Sequence, residues 1–97
     1  MLYYQYTCHC SARSAHLSSI MLDSIYLTRD TVRCARLAAG GLLQCVDSVL
    51  TDQAGAGWAV VRPPGHHAEH SSSAGFCIIN NVAVAARWTR VTRDSYT

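Results

Sequence analysis

Two prolines and a glycine in a row, Pro63-Pro64-Gly65, stand between the apolar run Trp58-Ala59-Val60-Val61 and two adjacent histidines, His66 and His67. No regular element continues through such a triplet. Neither proline can donate a ladder hydrogen bond, and Pro64 keeps Pro63 out of the helical region. The apolar run therefore reads as a short strand that ends here, and Gly65 as the residue that permits a sharp turn. Apolar residues on both faces fit a strand inside a parallel sheet. In a regular strand successive side chains diverge, so His66 and His67 can converge only if this turn breaks the pleat.

Upstream, Val32, Ala35, Ala39, Leu42, Leu43, Val46, Val49 and Leu50 recur at steps of three and four, which predicts a helix with one buried face. Thr28 or Asp30 is placed to cap its start. Gly40 and Gly41 inside it cost about 1 kcal/mol each relative to alanine, so they are expected to mark close backbone approach. Residues 53–57 read as a loop, as do residues 71–75. Asn80 or Asn81 is expected to cap a second helix from Val82 to about Val91, and residues 92–97 read as a polar, solvated tail. Residues 1–21 have no clear period and stay unassigned. The order helix, strand, loop, helix is a slice of an α/β layered domain with a parallel sheet.

At 97 residues the chain is one domain at most. A body of this size buries only about 60 to 65% of its unfolded surface, so its independent stability is marginal. With 49% apolar and 14% charged residues, it resembles a piece of a larger interior and leaves apolar surface open to association. The net charge of +2 comes from scattered arginines with no basic block, which argues against nucleic-acid binding. Five irregularly spaced cysteines, Cys8, Cys10, Cys34, Cys45 and Cys77, are expected to be free thiols in a reducing compartment. The first residues lack a basic and then apolar leader, and no window reaches the ~18 apolar residues of a membrane span. An intracellular, soluble protein is the expectation.

Chemistry concentrates after the strand. Two imidazoles on one rigid loop can divide proton transfer and charge stabilisation, and ligands in open α/β sheets bind beyond the carboxyl ends of strands. A His-His pair in a loop is nonetheless more often a hydrogen-bonded structural or surface feature than a catalytic one. Gly75-Phe76 can bring backbone and an aromatic face against a ligand, or Phe76 can be an ordinary core residue beside a turn. Cys77 reads as a small buried hydrophobe. Cys8-His9-Cys10 lacks the spacing of a zinc site. Gly55-Ala56-Gly57 precedes the strand and lacks the third glycine of a dinucleotide loop. Glu69 and His70 can join a proton relay with the pair or simply face solvent.

The ordered combination Asp23-Ser24-Ile25-Tyr26, then residues 34–40 (CARLAAG), residues 61–69 (VRPPGHHAE), Gly75-Phe76-Cys77, and residues 80–87 (NNVAVAAR) resembles the zinc-dependent histone deacetylases. It is most similar to class IIb, the branch containing histone deacetylases six and ten. The resemblance covers about residues 22–91, taken as a partial catalytic domain between the unassigned segment 1–21 and the tail 92–97.

The resemblance implies a fragment of the three-layer α/β/α arginase/deacetylase fold, with a parallel sheet between helices. It implies hydrolysis of an acetyl-lysine amide by a zinc-bound water, the metal lowering the water pKa and polarising the carbonyl. By position, His67 would act as general base and then acid, and His66 would give electrostatic and hydrogen-bond support. Gly75 and Phe76 would line the tunnel for the acyl-lysine stem. An acetyl-lysine protein is the implied partner of the parent enzyme, with no nucleic acid or membrane, and cytoplasm or nucleus the implied location. The family's zinc ligands, two Asp and one His, its carbonyl-polarising tyrosine and the carboxylates that orient the histidines have no counterpart before Thr97. The 97-residue chain by itself is thus expected to hold no zinc and to be inactive. The alternative is a non-catalytic interaction fragment or short isoform.

Overall fold

The computed structural model describes residues 2–6, 25 and 27–96. Four elements follow in chain order: β1 (Leu2–Tyr6), α1 (Thr31–Leu50), β2 (Gly57–Val61) and α2 (Asn81–Tyr96). The two strands pair in parallel, with Leu2 opposite Gly57 and Tyr6 opposite Val61. Helix α1 packs against both strands and against α2, whereas α1 is the one helix or strand among the described residues that α2 packs on. Strand β1 falls in the stretch left unassigned from sequence. Its partner lies more than fifty positions along the chain, a pairing that no local period can reveal.

The long helix forms where the period places it, and Ala35 and Ala39 are buried as expected, but the rest of the fully buried stripe falls on smaller residues than the period marks. Its buried residues are Cys34, Ala35, Ala38, Ala39, Gly41, Cys45 and Ser48, while Val32, Val49 and Leu50 are exposed. Small side chains let the helix axis approach the strands closely, and the larger aliphatic residues flank that contact. The close approach expected at the glycine pair is not made at Gly40, which has open space where a Cβ would project; Gly41 is buried. At Gly57, the first residue of β2, an added Cβ would run into Cys45 Sγ. Gly57, Ala59 and Val61 share one face, and it is the face toward α1. Trp58 and Val60, on the other, are exposed, so among the described residues β2 is covered on one side and not on both as expected.

Asp30 makes no side-chain cap. The start of α1 is organised by Thr28, whose carbonyl accepts the Thr31 N–H at 3.2 Å and whose own N–H donates to Thr31 Oγ1 at 2.7 Å. At the other end the Ser48 carbonyl accepts the N–H groups of Gln53 and Ala54 at 2.9 and 3.0 Å, closing the helix into the loop before β2.

The second helix begins as expected, with Asn80 Oδ1 accepting the Ala83 N–H at 3.0 Å. It runs past Val91 to Tyr96, through residues expected to form a solvated tail. The hydroxyls of Thr89, Thr92 and Ser95 donate to the carbonyls of Ala85, Trp88 and Val91, so the polar side chains bond back along the helix.

Cys45 and Cys77 are buried free thiols, but Cys34 is disulfide-bonded, which corrects the expectation of free thiols throughout. Cysteine pairing is set by three-dimensional proximity, which irregular spacing does not disclose. No helix among the described residues is long and apolar enough to cross a membrane.

One side-chain bond ties the two helices together, from Trp88 Nε1–H to Asp47 Oδ1 at 2.7 Å. Its exposure places it at the low end of a hydrogen bond's worth. Asp47→Ala and Trp88→Phe are each expected to lower stability by about 0.5–1 kcal/mol, with the double variant little worse than either. Denaturant midpoints at unchanged slope check this, and additive losses would show that the two residues act separately.

Candidate active site

The chain leaves β2 through Arg62 and a cis bond to Pro63. Gly65 is buried against the start of α2. An added Cβ there would collide with the Asn81 backbone nitrogen and would lie 2.6 Å from the Ile79 carbonyl oxygen. The Ala68 N–H donates to the Gly65 carbonyl at 3.2 Å, which closes a four-residue turn with His66 and His67 as its two corners. Their rings meet with centroids 4.2 Å apart, tilted by 52°. The turn thus does what the sequence required of it, and the two imidazoles converge. Both histidines are exposed, so the pair opens to solvent.

The turn is held by the segment that follows it. Asn81, itself buried, donates from Nδ2 to the Pro63 carbonyl at 3.3 Å, and Asn80 Nδ2 donates to the Ala68 carbonyl at 3.1 Å. Between those two anchors the His67 N–H donates to Cys77 Sγ at 3.4 Å, and the Cys77 thiol donates to the Gly75 carbonyl at 3.3 Å. Cys77 is buried, as expected, and is also a bracket between the histidine turn and the Gly-Phe turn. Asn80 and Asn81 were read from sequence only as helix caps. Two adjacent amides where one cap suffices are the signal that marks them.

The second turn spans residues 74–77, with the Cys77 N–H donating to the Ala74 carbonyl at 2.9 Å. Both inner residues have positive φ, 51° at Gly75 and 65° at Phe76, the signature of a type I′ turn. Glycine suits the first position. A phenylalanine in the left-handed region is strained, and its ring is exposed, so Phe76 is not the core residue that one reading allowed. Gly75 lies against the imidazole, since an added Cβ would stand 2.7 Å from His67 Cδ2 and 3.3 Å from its Cβ. Gly75 therefore lies in one cluster with His66 and His67, and Phe76 follows it with an exposed ring.

Glu69 and His70 do not join it. Both are exposed, and the Glu69 carboxylate accepts the Ser72 hydroxyl at 3.5 Å. Among the described residues no carboxylate bonds to either ring of the pair, and no group of three or more His, Cys, Asp or Glu could hold a metal ion. Cys8-His9-Cys10 lies outside the described residues.

A turn that presents paired imidazoles beyond a strand, backed by a glycine at positive φ, fits the family read from the sequence, and the comparisons agree. Residues 3–95 match the model of the histone deacetylase domain. The chain belongs to the histone deacetylase domain family, in its class II branch. It is 53% identical over 72 residues to polyamine deacetylase HDAC10 of Rattus norvegicus, a match covering 74% of this chain and 12% of that protein. It is 57% identical over 70 residues to histone deacetylase 6 of Caenorhabditis elegans, covering 70% of this chain and 7% of that protein. It is 49% identical over 65 residues to histone deacetylase clr3 of Schizosaccharomyces pombe, covering 67% and 10%. The matched part of the chain thus corresponds to about a tenth of the length of these relatives.

Proposed function

We propose that this chain is the histidine-bearing portion of a zinc-dependent deacetylase that hydrolyses the amide of an acetylated lysine. The observation that carries the reading is the tied turn, which brings two imidazole centroids to 4.2 Å on a backbone anchored at Pro63, His67 and Ala68. His67, backed by Gly75, takes a proton from the attacking water and returns it to the leaving amine. His66 beside it stabilises the charge that develops. Gly75 and the exposed ring of Phe76 receive the aliphatic stem of the substrate. In the family zinc supplies an activated water. The described residues do not form a site for it, so none of them is assigned to the metal. The elements seen are read as part of a three-layer α/β/α arginase/deacetylase fold, with further strands and a second helix layer completing the sheet, and the location as cytoplasm or nucleus.

The test is a chimera in which residues 31–96 replace the matching segment of the Rattus norvegicus relative. Turnover of an acetyl-lysine peptide or an acetylated polyamine is expected to survive, and His67→Ala in the chimera to lower kcat by about 10²–10⁴-fold. A folded chimera with intact histidines and no turnover of either substrate would sink the reading. The polyamine is included because that relative is named a polyamine deacetylase. The 97-residue chain alone is expected to show no chelator-sensitive turnover.

A second reading, a non-catalytic docking fragment, draws on the exposed apolar residues Trp58, Val82 and Val91, which are 64, 66 and 53% accessible. A folded, monodisperse chain that binds a defined partner, with no activity in the chimera, favours it.

A further inference from the structure

We propose that Asn80 is a positioning residue for the tandem histidines, acting through the Ala68 carbonyl; the inference rests on the deacetylase reading for what the histidines do. The two ends of its amide have separate tasks. Oδ1 accepts the Ala83 N–H at 3.0 Å and caps α2, while Nδ2 donates to the Ala68 carbonyl at 3.1 Å. Only nitrogen can serve a carbonyl and only oxygen can serve an N–H, so these two partners fix the orientation of the amide. Ala68 is the last residue of the histidine turn, bonded back to Gly65, and Gly65 abuts the backbone of Ile79 and Asn81. The turn is thereby a closed loop clamped to the first residues of a sixteen-residue helix. Asn81 holds its entry at Pro63 and Asn80 its exit at Ala68. Without the exit bond the turn keeps its entry anchor and the bond of the His67 N–H to Cys77, but the peptide that follows His67 can swing. A ring whose backbone is held only on its N-terminal side does not keep a fixed separation from its neighbour, and proton transfer depends on that separation.

Because the two tasks use different atoms, they can be separated by substitution. Asn80→Ser and Asn80→Asp both retain an oxygen that caps the helix. Serine is too short to reach Ala68, and aspartate has no donor when ionised. In the isotopically labelled 97-residue chain, both variants are expected to keep their helix content and the Trp88 indole N–H resonance that reports docking onto Asp47. Both are expected to lose the ring-to-ring contact of His66 and His67 in nuclear Overhauser spectra. Amide order parameters at residues 66–68 are expected to fall from about 0.85 to below about 0.6. Asn80→Gln, with the donor on a longer stem, is expected to recover part of the order at residue 68. Unchanged order and ring contact in both the serine and aspartate variants would overturn the proposal. So would loss of helix content or of the Trp88 signal in both, since the cap and the anchor would then be one structural unit. None of these readouts involves turnover, so a failed chimera and a failed positioning role give different results.

Discussion

Gly65→Ala is expected to lower the midpoint of thermal unfolding by about 12–24 °C. The cause is steric and local. A methyl group at this position meets the backbone nitrogen of Asn81 and the carbonyl oxygen of Ile79, with Asn81 Cγ at 3.1 Å behind them. A side chain could rotate away, but these are main-chain atoms at the mouth of α2. Relief requires lifting the histidine turn off the helix, which loses the Asn80 and Asn81 bonds together. Overpacking against atoms that cannot yield costs about 3 kcal/mol, and in a chain of this length each kcal/mol moves the midpoint by about 4–8 °C. Gly55→Ala is the control, because nothing lies within 4 Å of the methyl it would gain. Its midpoint is expected to stay within a few degrees. If the two alanine variants melt alike, the packing of Gly65 against α2 is not what holds the turn.

Gly75→Ala is expected to act on chemistry more than on stability. The left-handed backbone at 51° costs an alanine about 1–2 kcal/mol, which a chimeric domain can absorb. The methyl group would also stand 2.7 Å from His67 Cδ2 and 3.1 Å from Cγ, so the ring has to move. On the proposed role of His67 as general base, a displacement of even about 1 Å can cost 10²-fold, and kcat of the chimera is expected to fall by about that factor with KM changed much less. Steady-state kinetics on one acetyl-lysine peptide separates the two parameters. A rise in KM with kcat unchanged would assign Gly75 to the stem of the substrate and leave His67 undisturbed.

The amino-acid sequence disclosed the turn that carries the histidines more fully than the packing around it. Pro63-Pro64-Gly65 required a break before the histidines, and the break is there because neither proline can continue a ladder. The length of α1 was legible in its period, but its buried stripe only at Ala35 and Ala39. A pattern read through the largest apolar residues points Val32 and Leu50 inward. A helix pressed close to a strand instead selects alanine, cysteine and glycine for the contact. The continuation of α2 through Thr92 and Ser95 was hidden by their polarity, since hydroxyls that bond their own helix look like tail residues in the sequence. The strained φ of Phe76 leaves no mark on composition, and the anchoring roles of Asn80 and Asn81 depend on carbonyls twelve and eighteen positions away.

The contact of Gly57 with Cys45 bears on which sequences this arrangement tolerates. The thiol occupies the space that a side chain on the strand would otherwise fill, so the volumes at positions 45 and 57 are a single quantity shared across the seam. A larger residue on the strand at this point keeps the same helix-to-strand spacing where the facing thiol turns aside or a smaller residue stands at the helical position. The tolerance of position 57 for a side chain is thereby set from the helix.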